Sequence, residues 1–104
     1  MDKKVITEVV SFDITDSMSV ETFREIVHAL EIEFHMKQAG YIDSELAKGR
    51  NASWTMIMHW ESLKEAKLAS KELMGSPLTE RFRNAIIPST VKMGFSEQIQ
   101  KWNK

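Results

Sequence analysis

The sequence predicts an α+β fold: one antiparallel sheet of four strands with helices on one face, in the order β-α-β-β-α-β. Three observations predict it. Residues 5–14, 41–49 and 52–60 alternate between two kinds of side chain, as strands do. Residues 20–39 and 63–86 repeat their apolar residues at helical spacing. The breaks between them hold Gly, Pro and capping Ser residues, which punctuate short elements.

The first strand, "VITEVVSFDI", is rich in Val and Ile. One face carries Val5, Thr7, Val9 and Ser11, the other Ile6, Glu8, Val10, Phe12 and Ile14. The loop "TDSMS" follows, with Ser19 placed as N-cap and Glu21 favourable to the helix dipole. Phe23, Ile26, Val27, Leu30 and Phe34 form one stripe of a helix expected to end near Ala39-Gly40, with Gly40 as its terminal left-handed residue. "YIDSELAKG" is the second strand, and Gly49-Arg50-Asn51 turns it tightly into the third, "ASWTMIMHW", making a hairpin. Ser62-Leu63-Lys64-Glu65 matches a capping box, so the chain changes from strand to helix just after Trp60. That helix is expected to run to Met74, where Gly75 stops it. Ser76-Pro77 restarts a helix with a Leu78, Phe82, Ala85 and Ile86 stripe, which Pro88 ends. "TVKMGF" (90–95) is the fourth strand, and the tail from about 97 is polar except for Ile99 and Trp102. Both crossovers return on the same side of the sheet, which gives the ferredoxin-like arrangement.

The length of 104 residues suits one domain with a core of its own, spanning 1–104. The absence of cysteine excludes disulfides, thiolate metal sites and a cysteine nucleophile. A net charge of -1, from 14 basic and 15 acidic residues, gives no electrostatic case for nucleic acid or an anionic membrane. Thr7, Glu8, Ser11 and Asp13 interrupt the apolar start, so it does not read as a signal peptide, and no run is long enough to span a bilayer. A cytoplasmic location is expected.

Two helices cover one sheet face and leave the other bare. In the third strand Trp54, Met56, Met58 and Trp60 share one face, and Ser53, Thr55, Ile57 and His59 the other. The second set joins Val5, Thr7, Val9 and Ser11 in a surface of small, β-branched and weakly polar residues, without the Lys and Glu of a solvated face. That surface predicts a homodimer packed through its open sheet faces. The same β-α-β-β-α-β order occurs in RNA-recognition motifs, but those need stacking aromatics and basic residues on the open face, and "SWTMIMHW" has neither Lys nor Arg.

The segments "EVVSF", "GYIDSELAKG", "WESLKEAKLA", "SPLTERF" and "VKMGF" occur in an order that resembles the antibiotic-biosynthesis-monooxygenase-like family, within the dimeric α+β barrel superfamily. The resemblance covers roughly residues 5–96, and its most specific piece is Trp60-Glu61-Ser62. It implies a homodimer with a ligand cavity between sheet and helices in each subunit. It also implies chemistry ranging from oxygenation of aromatic polyketides without metal or flavin to haem degradation and isomerisation of small metabolites. The haem-degrading branch uses an Asn on its first strand and a Trp and a His on its second helical segment. Residues 5–14 here hold no Asn, and residues 62–86 neither Trp nor His. The polyketide branch has Asn, Trp, Tyr and Arg around its pocket. Trp60 is the candidate match to that Trp, with Trp54 and Tyr41 as neighbours.

Five residues are candidates for a site. Glu8 shares its face with Ile6, Val10 and Phe12. Under the helices its carboxylate would be desolvated, its pKa raised toward that of a useful base; at a strand end it would pair with a surface cation. His59 is the reserve base or hydrogen-bond donor, although its face is the one assigned to the dimer. Trp54, Met58 and Trp60 are the expected wall of a pocket for a small aromatic ligand, or simply core. His28, Glu31 and His35 share one side of the first helix with Arg24, which reads as a solvated face rather than a metal site. Arg81 and Arg83 read as exposed helix charge, or as holders of an anionic or carbonyl group at a pocket mouth. The expectation is therefore a cofactor-independent monooxygenase-like protein acting on a small aromatic or enolisable substrate, with no metal and with Glu8 as base. The competing expectation is a non-catalytic dimeric binding or stress-associated module.

Overall fold

The computed structural model describes residues 4–51 and 53–104; Ala52, expected to open the third strand, and the first residues of the basic start lie outside them. The chain forms β1 (Ile6–Asp13), α1 (Val20–Glu33), β2 (Tyr41–Lys48), β3 (Ser53–Trp60), α2 (Leu63–Leu73), α3 (Glu80–Ala85) and β4 (Lys92–Glu97). The strands lie in the order β2-β3-β1-β4, every neighbouring pair antiparallel. This is the expected ferredoxin-like α+β fold.

Period-two patterning sets the faces. β3 buries Trp54, Met56, Met58 and Trp60 and leaves Ser53, Thr55, Ile57 and His59 partly exposed on the opposite side. The predicted caps are present. Ser19 Oγ accepts the Thr22 amide at 3.1 Å. Ser62 Oγ accepts the Glu65 amide at 3.1 Å and donates to Glu65 Oε1 at 3.0 Å. Gly40 takes the left-handed conformation, φ 84°. Its carbonyl accepts the Glu61 amide at 2.7 Å, tying the start of β2 to the end of β3.

Three boundaries differ from expectation. α1 stops at Glu33, because Phe34 leaves helical geometry (φ -122°, ψ -68°) and His35–Lys37 form a 3₁₀ turn. The tighter turn changes the angular position of every later side chain. His35 is therefore buried, not on a solvated face as the helical spacing suggested, while His28 stays exposed. The expected helix after Gly75 divides into a 3₁₀ turn at Pro77–Thr79 and the short α3. The last strand begins at Lys92 rather than Thr90, because Pro88–Thr90 form a turn. Thr90 Oγ1 pins that turn, accepting the Asp13 amide at 2.9 Å and donating to the Ile87 carbonyl at 2.6 Å.

The helix-side layer has two parts. Near Trp54 the rings of Phe12, Phe23, Phe34 and Phe82 pack with Ile26, Val27 and Leu30. Edge-to-face contacts join Phe12 to Phe23 at 5.8 Å and Phe12 to Phe82 at 5.6 Å. Near Trp60 the partners are Ile6, Met58, Ala66 and Ala69. On the other side of the sheet no helix of the described residues covers β1 and β3. Val9 is 39% exposed at its centre, opposite Ile57 and Gly94, with Glu45 and Lys92 on the flanking strands. Among the described residues no helix is long and apolar enough to cross a membrane.

Candidate functional site

A cavity of about 510 Å³ opens between the Trp60 end of the sheet and the helical segments, within the range of small-molecule sites. Its floor is Glu8 and Val10 of β1 with Met56, Met58 and Trp60 of β3, and Leu73, Phe82 and Arg83 wall the far side. It exists where α2 buries only the methyls of Ala66 and Ala69, while Phe82 and Arg83 of α3 border the space.

Glu8 is 3% exposed. Its Oε1 accepts the Trp60 indole N–H at 2.9 Å. Burial pushes the Glu8 carboxyl above the ordinary glutamate range; the Trp60 hydrogen bond and the nearby His35 pull it back, and Glu31 adds a further upward push. A carboxyl held this way takes a proton more readily than an exposed one, which is what a general base needs.

Trp60 is enclosed by two further polar residues. The His35 ring meets it edge-on at 6.2 Å and the Tyr41 ring at 5.8 Å. His35 Nδ1 is hydrogen-bonded to Glu31, Ser44 Oγ donates to the other Glu31 oxygen at 2.5 Å, and the Tyr41 hydroxyl lies 2.6 Å from Ser44 Oγ. Burial raises the Tyr41 pKa.

Of the five sequence candidates, the structure brings Glu8, Met58 and Trp60 together on one cavity wall. Trp54 is elsewhere. It packs against Phe23 at 5.0 Å and borders a separate open groove between α1 and β2. His59 lies on the opposite sheet face, where its Nδ1 is 2.6 Å from Asp43 Oδ1, so the sheet separates it from Glu8. Arg83 reaches the cavity with its guanidinium held by Thr79 Oγ1 at 3.1 Å and the Ser76 carbonyl at 3.0 Å, whereas Arg81 is exposed. Sequence reasoning missed His35, Ser44 and Tyr41 as one polar group around Glu31. The i,i+4 spacing of Glu31 and His35 was the available signal, and it misled because the helix ends between them.

No family model matches the sequence, and no curated protein matches it significantly. Solved structures do share the fold. A variant of SnoaB, a cofactor-independent oxygenase from Streptomyces nogalater, superposes with a TM-score of 0.72 at 19% identity, covering 96% of this chain and 98% of that one. A proposed antibiotic biosynthesis monooxygenase from Bordetella bronchiseptica gives 0.72 at 14% identity, with 93% and 99% covered. One from Caulobacter crescentus gives 0.69 at 11%, with 94% and 92% covered. The fold is thus that of the antibiotic-biosynthesis-monooxygenase-like proteins, as the sequence motifs suggested. At such identities the likeness carries the architecture, and the chemistry has to be argued from this chain's own residues.

Proposed function

We propose that the protein is a homodimeric, cytoplasmic member of the antibiotic-biosynthesis-monooxygenase-like group that oxygenates a small aromatic, enolisable substrate without a cofactor. The observation that carries this reading is Glu8: a buried carboxyl, raised in pKa, opening on an apolar cavity of about 510 Å³. Likeness of fold to a cofactor-independent oxygenase supports it. Glu8 removes a proton from an activated C–H bond. The carbanion, stabilised by the aromatic system, passes an electron to dioxygen, the radical pair combines, and the peroxide loses water to leave a carbonyl. For anthrone the balance is anthrone plus dioxygen to anthraquinone plus water. Met58 and Trp60 form a flat, water-excluding wall against the substrate.

Oxygen uptake with anthrone tests the chemistry. Glu8→Gln is expected to lower kcat by about 100-fold or more, the usual worth of a positioned base. Equal rates for the two proteins would eliminate Glu8 as base, and uptake no faster than in buffer alone would leave the binding-module reading standing. The dimer is tested separately. The open face, with Val9 and Ile57 at its centre, suits a second copy of itself. Ile57→Lys is expected to halve the sedimenting mass without loss of fold; an unchanged mass sinks the assembly.

A further inference from the structure

His35, Glu31, Ser44 and Tyr41 have no role in that chemistry, yet they form a hydrogen-bonded cluster in which His35 borders the cavity and Glu31 and Ser44 the groove between α1 and β2. The direction of their hydrogen bonds can be read. Ser44 spends its one hydroxyl proton on Glu31, so the Tyr41 hydroxyl must be the donor to Ser44. Glu31 thus receives a donor on each oxygen, from Ser44 and from His35 Nδ1, the arrangement that suits a carboxylate anion. With Nδ1–H committed to Glu31, the ring's orientation is set and Nε2 is its working atom. His35 is 3% exposed and lines the same cavity as Glu8. Its Nε2 makes no protein hydrogen bond among the described residues, and no side-chain nitrogen or oxygen there is both buried and unpartnered. Nε2 is therefore not sealed off, in a residue that borders the cavity. In Glu8, Oε1 is taken by Trp60, and Oε2, without a protein partner among the described residues, is not sealed off in a residue that lines the cavity.

We propose that His35 is a second catalytic residue of this cavity, the proton donor through Nε2 to the oxygen of an enolisable carbonyl whose conjugated acidic carbon Glu8 deprotonates, with Glu31, Ser44 and Tyr41 as positioning residues. The substrate class rests on the function proposed above; the acid–base pair does not. In the step, the substrate C–H bond breaks and its proton goes to Glu8 Oε2. The C–H electron pair enters the π system that joins the acidic carbon to the carbonyl carbon (in anthrone, through the fused rings), the carbonyl π pair moves to oxygen, and that oxygen takes the Nε2 proton. The products are the enol, a protonated Glu8 and a neutral His35, and reversal restores all three. The pair is a ketone–enol catalyst whether or not oxygen follows.

The test is hydrogen–deuterium exchange at the acidic carbon of anthrone, followed by NMR in deuterated buffer without oxygen. Wild type is expected to accelerate exchange over buffer. His35→Asn keeps a donor near Nδ1 for Glu31 but presents nothing to the cavity, and is expected to lower the exchange kcat by about 100-fold with little change in KM. His35→Gln places an amide donor near Nε2 and is expected to recover about tenfold of that loss. Glu31→Gln is expected to cost about tenfold, as the loss of a positioning partner.

A merely structural role would not move the pH profile. The groups facing His35 are Glu31 from α1, Glu8 from β1, Tyr41 and Ser44 from β2, Trp60 from β3 and, across the cavity, Arg83 of α3. A charged His35 favours ionised Glu8, so its removal is expected to move the rising limb of exchange to higher pH. His35→Asn exchanging at the wild-type rate with an unmoved limb overturns the proposal, and so does a wild type that does not accelerate exchange. If His35→Asn fails to fold, His35→Gln decides: recovered exchange supports the donor role, and a folded Gln variant without it refutes that role. Exchange without oxygen uptake keeps this pair and removes the oxygenase reading; oxygen uptake that needs Glu8 but not His35 does the reverse.

Discussion

Trp54 and Trp60 stand at opposite ends of the same face of β3, both buried, and they do different things. Trp54 lies opposite Phe12 in β1 and packs against Phe23 and other aromatic and aliphatic side chains, while its indole N–H, without a protein partner among the described residues, is not sealed off, and the residue borders the open groove. Trp60 lies opposite Ile6, one step diagonal to Glu8, and its N–H is bonded to the Glu8 carboxyl. At the first end α1 and α3 supply large rings. At the second α2 supplies the methyls of Ala66 and Ala69, and a cavity remains. Identical residues on one strand face became packing or cavity wall according to what the neighbouring strand and the covering helix placed beside them.

Substitutions can break that contrast. Phe12→Ala removes a ring from the filled end and is expected to cost about 3–5 kcal/mol, read by urea unfolding. Trp60→Phe loses the bond to the Glu8 carboxyl and leaves that group without its donor, for about 2–3 kcal/mol. Trp54→Phe loses packing alone, about 1–2 kcal/mol, and leaves the Glu8 titration where it was. Equal costs for the two tryptophans, with equal effects on Glu8, would erase the distinction between the ends.

The smallest expected effect is on pH dependence. Burial raises the Glu8 pKa in the folded state above its value of 4.5 in the unfolded chain. Its contribution to stability is then complete below pH 4.5 and is lost as pH rises through the folded-state value. The stability difference between wild type and Glu8→Gln is therefore expected to shift in favour of the variant as pH rises over that window. Urea midpoints for both proteins across that range check the sign.

Much of this was legible in the chain. Alternation separated the two faces of β3, and Ser19 and Ser62 announced their helices, because strand faces and caps depend on neighbours close in sequence. The singular placement of Glu8 among apolar residues was legible for the same reason. The cavity was not, since a void depends on which residues of α2 and α3 meet the sheet. Pairing register also decides that Trp60 rather than Trp54 reaches Glu8. His35 was missed because one residue with non-helical geometry, Phe34, turned it inward. Ser44 and Tyr41 lay in a strand whose irregularity between Tyr41 and Asp43 hid their shared face.

Whether the buried Glu8 carboxyl is poised to accept a proton is measured directly by a carbon-13 NMR titration of the glutamate side-chain carboxyls, with Glu8 assigned by its absence in Glu8→Gln. The account predicts a midpoint above 4.5 that rises further in Trp60→Phe, where the stabilising N–H is gone. A midpoint at or below 4.5, unmoved in Trp60→Phe, would contradict it.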